Sequence, residues 1–441
     1  MQNSIKSQLA RLTGFLYPDG GFRTIATLSG GSVVGHLIAV GASPFIARLY
    51  DPKEFGLFSI FFSIFGILSI VSTLQLNNAV PLPTRDRDGA RLLLASLAIV
   101  GTVSVLLMVL ISLFGSSVLS IAGVDSLGTL LWFLPATIGI ANTNLAMQFW
   151  FLRKKEYVDL AIVKALQSTA RAGGQIGMGL AGLGPVGLAI GVFFGQFVSV
   201  LFLYRGVIKR HRSAFVDLSA QSIYQKAMEH RSFATTYTPS ALLEAGTVYM
   251  PAIVLGVLFG PAVAGLYAFT LQAARGGMSI VVEAISKVFL VQAVDDYNAA
   301  RVHDVRKRAL RLCLAQFALG VPIFGLIVAY GESIFGLVFG ENWSQGGYYA
   351  ALLTPHLFSL FIFEHLTRLF VVTGRHLVKL VWEILRFAVL LLTVVAVKVW
   401  SLDAASAVLM LSCGWCVLHV ALVPMTFPLL SKRSLNSEPD Q

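Results

Sequence analysis

Four charged residues lie inside long apolar stretches of this sequence without an oppositely charged residue one helical turn away: Lys164, Arg171, Glu244 and Arg275. A charged side chain in a membrane-spanning segment is costly, faces a protein interior or a wet cavity, and by default indicates function. Other charges in such stretches have a partner at i+3 or i+4 and can form structural pairs, namely Glu283 with Lys287, Glu364 with Arg368 and Glu383 with Arg386.

Polar side chains accompany the unpaired charges at helical spacing and form a stripe on each of three predicted helices. The first stripe is Lys164, Gln167, Arg171, Gln175; the second is Gln272, Arg275, Ser279, Glu283; the third is Thr236, Ser240, Glu244, Thr247. Because a polar stripe cannot face lipid tails, we expect the three helices to line one shared wet cavity. The alternative for these charges is a salt bridge between helices, for example from Glu244 to Arg275.

An excess of positive charge in such a cavity suits an anion, because guanidinium groups bind phosphate with bidentate geometry. Arg48 lies just inside the apolar boundary of the first stretch, where a phosphate could arrive or depart. We therefore predict a phosphorylated substrate, bound by Arg48, Lys164, Arg171 and Arg275. Two acidic residues, Glu244 and Glu283, are candidates for ion coupling or for salt bridges.

The composition requires a membrane environment for the helices that position these groups. Of the 441 residues, 56% are hydrophobic and 12% are charged, whereas soluble domains carry roughly 25% charged residues. Twelve apolar windows are long enough to span a bilayer: 25–48, 55–78, 92–115, 127–150, 158–182, 185–208, 233–259, 262–290, 309–331, 348–371, 379–400 and 404–428. They must be helices, because backbone polar groups in lipid have to be satisfied within the segment.

The net charge of +11 is explained by topology. With a cytoplasmic N-terminus, about two dozen lysines and arginines fall on the inner side of the predicted spans, and three fall outside: Arg48, Lys53 and Lys398. This bias follows the positive-inside rule and places both termini in the cytoplasm. It predicts membrane lipid, and not nucleic acid, as the partner of the basic segments.

A short repeat divides the chain into two halves. The stretch PKEFGLF at residues 52–58 matches PAVAGLY at residues 261–267 in its proline, glycine, leucine and aromatic positions. Each copy lies in the outer turn after the first span of a six-span block, so we predict a parallel repeat as in some transporters. The predicted units are a cytoplasmic N-terminal segment (1–23), a six-helix bundle (24–208), a cytoplasmic linker (209–231), a second six-helix bundle (232–430) and a cytoplasmic tail (431–441).

The first copy of the repeat also has the features of a helix start. Asp51 can cap the helix, Pro52 suits its first turn, and Glu54 complements the helix dipole. These roles do not explain Arg48. The predicted fold is therefore an all-α polytopic membrane protein of about twelve transmembrane helices, in two six-helix bundles around a central cavity.

Several kinds of catalytic or cofactor site are not indicated. The eight histidines show no metal-ligand spacing, and no P-loop occurs. Cys413 and Cys416 form a C-x-x-C inside the last apolar window without a second pair, so we interpret them as packing residues. No outer segment is as long as a membrane glycan polymerase would need. We predict no catalytic residues, no metal and no cofactor.

The opening of the sequence resembles the polysaccharide-biosynthesis flippases of the multidrug/oligosaccharidyl-lipid/polysaccharide exporter superfamily. The resemblance covers residues 30–83 and is most specific at the corner Y-x-P-x-x-F-G, formed by Tyr50, Pro52, Phe55 and Gly56. It implies two bundles around a V-shaped cavity with alternating access. It also implies an undecaprenyl-pyrophosphate-linked oligosaccharide as substrate, the bacterial inner membrane as location, and basic cavity residues, although no motif transfers those positions.

The leading hypothesis is therefore a flippase for lipid-linked repeat units of O-antigen, capsule or exopolysaccharide. A proton or sodium gradient is the expected energy source, and a glycan polymerase and a chain-length regulator are the expected partners. One alternative is a drug/cation antiporter of the same fold, which would need mainly acidic cavity residues. Another is a membrane-embedded glycan polymerase or transferase, for which the sequence shows no acid/base constellation.

Overall fold

The computed structural model describes residues 21–122, 127–216, 218–373 and 375–430, and this part of the chain is all-α, without strands. It contains fourteen α-helices: α1 (Gly21–Leu49), α2 (Pro52–Thr73), α3 (Asp86–Ala122), α4 (Gly128–Arg153), α5 (Tyr157–Leu180), α6 (Gly184–Gly206), α7 (Ala220–Glu229), α8 (Thr238–Phe259), α9 (Pro261–Asn298), α10 (Val302–Phe339), α11 (Ser344–Phe363), α12 (Arg368–Val372), α13 (His376–Trp400) and α14 (Ala404–Thr426). Most of the predicted N-terminal segment (1–23) and the whole predicted tail (431–441) lie outside the described residues.

Twelve of these helices have 20 or more residues and correspond in order to the twelve predicted spans. They form two bundles, α1–α6 and α8–α14. Helix α7 lies between them, in the predicted linker, and buries none of its residues. In the first bundle α5 packs on α1 and α6; in the second α11 packs on α10 and α14. The predicted fold class is confirmed, and the chain is a multi-pass membrane protein.

Nine segments of the described chain are long and apolar enough to cross a membrane. Of the other three long helices, α1, α5 and α9, helix α5 carries two charged residues, Lys164 and Arg171, in its interior. Charged groups within a membrane-spanning helix face protein or an aqueous space. A polar site is therefore expected along α5.

The two bundles meet through α2, which packs against α8 and α9. At the start of α2, the side chain of Asp51 accepts a hydrogen bond from Glu54 N (2.7 Å), and the Glu54 carboxylate accepts one from Asp51 N (3.0 Å). This is a complete capping box with Pro52 in the first turn. The predicted helix start is confirmed.

The repeated proline and glycine form a reciprocal backbone contact between the bundles. A Cβ atom on Gly56 would lie 1.7 Å from the carbonyl oxygen of Pro261, and one on Gly265 would lie 1.8 Å from that of Pro52. Only glycine allows so close an approach of two helices. The symmetry of this contact agrees with the predicted duplication. We call this region, formed by the α1–α2, α8–α9 and α10–α11 corners (residues 50–51, 260 and 340–343), the closed end.

An aromatic cluster fills the space beneath the reciprocal contact. The Trp343 ring lies 4.1 Å from that of Phe269 and 5.7 Å from that of Phe55, between ring centroids, and all three side chains are buried. The Trp343 indole N–H donates to the carbonyl oxygens of Ala47 (2.7 Å) and Tyr50 (3.2 Å). The closed end therefore combines residues of α1, α2, α9 and the α10–α11 corner in one dry core.

Candidate functional site

A cavity of about 370 Å³ lies between the two bundles, next to the closed end. Four helices line it, α1, α2 and α5 from the first bundle and α9 from the second. We call it the central cavity; its lining residues are His36, Ala39, Val40, Ala42, Ser43, Ile46, Phe55, Phe58, Phe62, Ser168, Arg171, Ala172, Gln175, Phe269, Gln272, Ala273, Arg275 and Gly276.

Arg171 on α5 and Arg275 on α9 bring a positive charge to this cavity from each bundle. The Arg171 guanidinium carbon lies 5.5 Å from the ring centroid of Phe62, a cation–π distance. Neither arginine has a carboxylate oxygen of any described residue within 4.0 Å, and the Arg275 Nε atom is buried without a hydrogen-bond partner. Both charges are therefore available to an anion.

The rest of the wall is largely apolar. Phe55, Phe58 and Phe62 project into the cavity from α2, and Phe269 from α9. Gln175 already has hydrogen-bond partners within the protein, because its side-chain N–H donates to Leu188 O (3.2 Å) and its backbone carbonyl accepts from the Tyr50 hydroxyl (2.7 Å). An apolar pocket with a few convergent polar groups is the usual form of a ligand site.

The structure does not bring the other two predicted cations into this lining. Lys164 lies on α5 with Arg171 and is exposed, but it is further along the helix from the closed end. Arg48 lies at the closed end, where its guanidinium donates to the carbonyl oxygens of Leu337 (3.0 Å) and Pro44 (3.3 Å). The contact with Leu337 satisfies a carbonyl in the last turn of α10, and gives Arg48 a structural partner in the other bundle.

The third polar stripe, on α8, does not line the central cavity, contrary to our expectation. Its acidic residue, Glu244, forms an ion pair with Lys379 of α13 at 3.2 Å, and both side chains are about half exposed. The alternative, a salt bridge between helices, is therefore observed for Glu244, but with Lys379 in place of Arg275. The reason is that α8 turns this face toward α13 within its own bundle. The side chain of Glu283 lies outside the described residues.

The predicted structural pairs differ from one another. Arg386 and Glu383 form a buried ion pair at 3.2 Å, and the Arg386 guanidinium lies 4.7 Å from the ring centroid of Trp382. Glu364 and Arg368 form no ion pair within 4.0 Å. In the described residues no group of three histidine, cysteine or acidic side chains could hold a metal, and Cys413 and Cys416 are free thiols.

The contribution of these faces of α1 and α2 to the cavity was not predicted from the sequence. His36, Val40 and Ser43 of α1 all line it, as do Phe55, Phe58 and Phe62 of α2. Both sets recur at the i, i+3 or i+4, i+7 spacing that places side chains on one helix face. That spacing could have identified both faces from the sequence, but the cavity helices were predicted from their charged residues.

Comparison with known proteins agrees with this geometry. The family model described as polysaccharide biosynthesis protein matches residues 45–346, which is more than half of the chain. No curated protein matches the sequence.

Solved structures share the fold at low sequence identity. An inward-facing conformation of a multidrug resistance MATE family transporter of the MOP superfamily has a TM-score of 0.69 and 15% identity, over 94% of this chain and 100% of that one. An outward-facing conformation of such a transporter gives 0.61 and 13%, over 93% and 95%. A mutant of the Vibrio cholerae MATE transporter VcmN gives 0.58 and 14%, over 95% and 96%.

At these identities the likeness shows the fold, which is that of MATE transporters, and the family follows from the sequence match. The chain belongs to the polysaccharide biosynthesis protein family.

Proposed function

We propose that this protein is a flippase that translocates lipid-linked oligosaccharide repeat units across a bacterial inner membrane by alternating access. The observation that carries the proposal is the pair Arg171 and Arg275, one from each bundle, in one cavity and without a carboxylate partner among the described residues. The family match to polysaccharide biosynthesis proteins supports the substrate class. Both termini would then lie in the cytoplasm, as the charge bias indicates.

A pyrophosphate group fits the chemistry of this pair. Charge-assisted hydrogen bonds from guanidinium to phosphate are stronger than neutral ones, and they strengthen further away from bulk water. Because the two arginines belong to different bundles, a bound pyrophosphate would bridge the halves. Its affinity would then depend on how far the halves are rotated apart, which is the coupling that alternating access requires.

The volume of the cavity limits what it can hold in this conformation. At about 370 Å³ it lies near the lower end of ligand pockets, which span roughly 300–1,000 Å³. It can enclose the pyrophosphate with adjacent sugar but not a whole oligosaccharide and its lipid. We infer that the polyprenyl tail stays in the bilayer at a lateral opening while the headgroup crosses.

The energy source remains a proposal from the sequence. A proton or sodium gradient would act through an acidic residue, and Glu244 is the candidate, because neutralising it would release Lys379 from its ion pair. Lys164, exposed on the same helix as Arg171, is proposed as an approach site for the headgroup. A glycan polymerase and a chain-length regulator are the proposed partners.

A drug/cation antiporter is the second candidate, and the shared fold with multidrug resistance MATE transporters favours it. The lining of the central cavity argues against it, since the described lining residues include two arginines and no aspartate or glutamate. A cationic drug would meet two positive charges there. The third alternative, a glycan polymerase or transferase, would need an acid/base pair at the site, and the described lining residues do not provide one.

Surface polysaccharide in a strain deleted for this gene tests the proposal. Wild-type protein should restore the polysaccharide, and Arg171→Ala and Arg275→Ala should each lower it at least tenfold while reaching the membrane at normal levels. Arg311→Ala is the matched control, because Arg311 is exposed on α10 and does not line the cavity. Normal polysaccharide with both cavity variants would contradict the proposed site.

A further inference from the structure

A second cavity, of about 420 Å³, lies at the opposite end of the first bundle from the closed end. It is formed by the loop before α3, the turn between α4 and α5, and the segment that follows α6. It shares no residue with the central cavity. We call it the basic pocket; it is lined by Arg85, Asp86, Arg87, Lys154, Arg210, His211, Ser213 and Ala214.

One wall of the basic pocket is held by Arg153. Its side chain is 6% exposed and donates to backbone carbonyls along the loop before α3, and to the Asp86 carboxylate at 3.2 Å. The carbonyl acceptors are those of Val80, Pro81, Pro83 and Thr84. A buried, multiply bonded arginine fixes a loop that otherwise has no regular structure. The position of Arg85 and Arg87 is therefore set before any ligand arrives.

The facing wall is equally ordered. His211 is 5% exposed, accepts a hydrogen bond from the Trp150 indole N–H on Nδ1 (3.0 Å), and has Nε2 3.2 Å from Glu156 Oε1. Arg210 pairs with Asp159 at 2.9 Å and with Glu156 at 3.3 Å. The charged side chains of this wall are thus paired with one another and held in place. The charge that still needs an explanation is that of the opposite wall.

That charge is not neutralised within the described chain. Lys154 pairs with Asp86 at 2.7 Å, whereas Arg85 and Arg87 are exposed and form no ion pair within 4.0 Å. The first turn of α3 adds the positive end of its helix dipole at the same place. These two guanidinium groups, one on the ordered loop and one in the first turn of α3, form a candidate anion site.

We propose that the basic pocket binds a phosphate group. Two sources carry this chemistry: the headgroup of an anionic membrane lipid, which basic pockets on the cytoplasmic side of membrane proteins bind, or a soluble phosphate compound. The site is distinct from the translocation path and would act on the first bundle alone, by tying the loop before α3 to the segment after α6.

Ligand binding to the full-length protein in detergent tests this proposal. Native mass spectrometry would measure phosphatidylglycerol in one arm and inorganic pyrophosphate in the other. All proteins would carry Arg171→Gln and Arg275→Gln, so that the central cavity does not contribute and the outcome is independent of the proposed function. The test variant adds Arg85→Gln and Arg87→Gln. The control instead adds Lys209→Gln and Arg212→Gln, which remove the same charge from exposed residues outside the lining.

The expected result is binding of at least one probe that the test variant weakens at least tenfold and the control less than twofold. Selective binding of phosphatidylglycerol assigns the site to membrane lipid, and binding of pyrophosphate alone assigns it to a soluble compound. The proposal is overturned if neither probe binds, or if test and control variants weaken binding equally. Melting temperatures without probe check folding, and single Arg85→Gln and Arg87→Gln variants replace the double variant if it does not fold.

Discussion

The closed end and the central cavity share α1, α2 and α9 but treat polar groups in opposite ways. At the closed end the Trp343 indole, the Arg48 guanidinium and the Tyr50 hydroxyl each donate to a backbone carbonyl. In the central cavity, Arg171 and Arg275 have no carboxylate partner among the described residues. These polar side chains of the closed end are thus hydrogen-bonded within the protein, whereas the cavity arginines are available to a ligand.

This difference distinguishes polar groups that stabilise the fold from polar groups that serve function, in a chain where both kinds are rare. A buried polar atom without a hydrogen-bond partner costs roughly 1–3 kcal/mol, and the Nε atom of Arg275 is such an atom, so some other interaction must offset its cost. A substrate that supplies the missing hydrogen bonds is such a compensation. Removing groups from the two regions should therefore have opposite consequences for stability and for transport.

The largest loss of stability is expected from removing Arg386, a buried arginine that forms an ion pair with a carboxylate. Arg386→Ala would leave Glu383, which is 4% exposed, without its ion-pair partner. Breaking a buried pair from one side costs about 3–5 kcal/mol, measured as unfolding of the purified protein in detergent. The double variant Arg386→Met with Glu383→Gln should recover most of that loss, and an equally unstable double variant would contradict this explanation.

Adding one methyl group at the closed end should come next. In Gly56→Ala the new Cβ would overlap the Pro261 carbonyl oxygen, so that α2 and α9 must move apart, at a cost of about 1–3 kcal/mol. A cysteine at Ser43 in the central cavity should then react with membrane-impermeant reagent from the closed-end side, in a background without the three native cysteines. Gly101→Ala is the control, because a Cβ there has no atom within 4 Å. Unchanged labelling would show that this contact does not close the cavity.

Removing one hydrogen-bond donor at the same end should have a smaller effect. Trp343→Phe keeps an aromatic ring against Phe269 but loses the donor to Ala47 O and Tyr50 O. The expected loss is about 1 kcal/mol in the free energy of unfolding. A loss as large as that of Trp343→Ala would contradict this value, because it would mean that the phenyl ring recovers none of the packing of the indole.

The smallest effect on stability is expected in the central cavity itself. Arg171→Ala and Arg275→Ala break no ion pair among the described residues, and Arg171 loses a contact with the Phe62 ring worth about 0.5–1 kcal/mol. Relief from desolvation offsets part of that loss. Unfolding measurements should therefore place both variants within about 1 kcal/mol of wild type. A loss comparable to that of Arg386→Ala would identify these arginines as structural.

The sequence predicted the helices well because each property used was local. Span length, the proline at the start of α2 and the stripe containing Arg171 are all visible within one helix. Contacts between distant segments were not predictable in this way. Arg48 binds a carbonyl 289 residues away, and Glu244 pairs with a lysine 135 residues away, so a charge that lacked a local partner still had a distant one.

The helices that line the cavity could be predicted only in part, for the same reason. Polar stripes identified α5 and α9, but α2 enters the cavity through phenylalanines, whose composition is also that of a lipid-facing helix. Which apolar face meets the partner bundle depends on where backbones can approach closely. Here Gly56 and Gly265 determine where the two bundles approach each other. This role is visible only in the structure, where the two copies of the repeat are in contact.

The central claim, that the two cavity arginines carry a lipid-linked pyrophosphate across the membrane, is tested most directly by flipping in proteoliposomes. The substrate would be an undecaprenyl-pyrophosphate-linked sugar, and the readout its enzymatic accessibility on the opposite leaflet. Each lost charged hydrogen bond is worth about 1.5–3 kcal/mol, so Arg171→Gln and Arg275→Gln should each slow flipping roughly ten- to a hundredfold. Flipping at the wild-type rate by both variants, or transport of a cationic drug in place of the lipid by wild-type protein, would contradict the account.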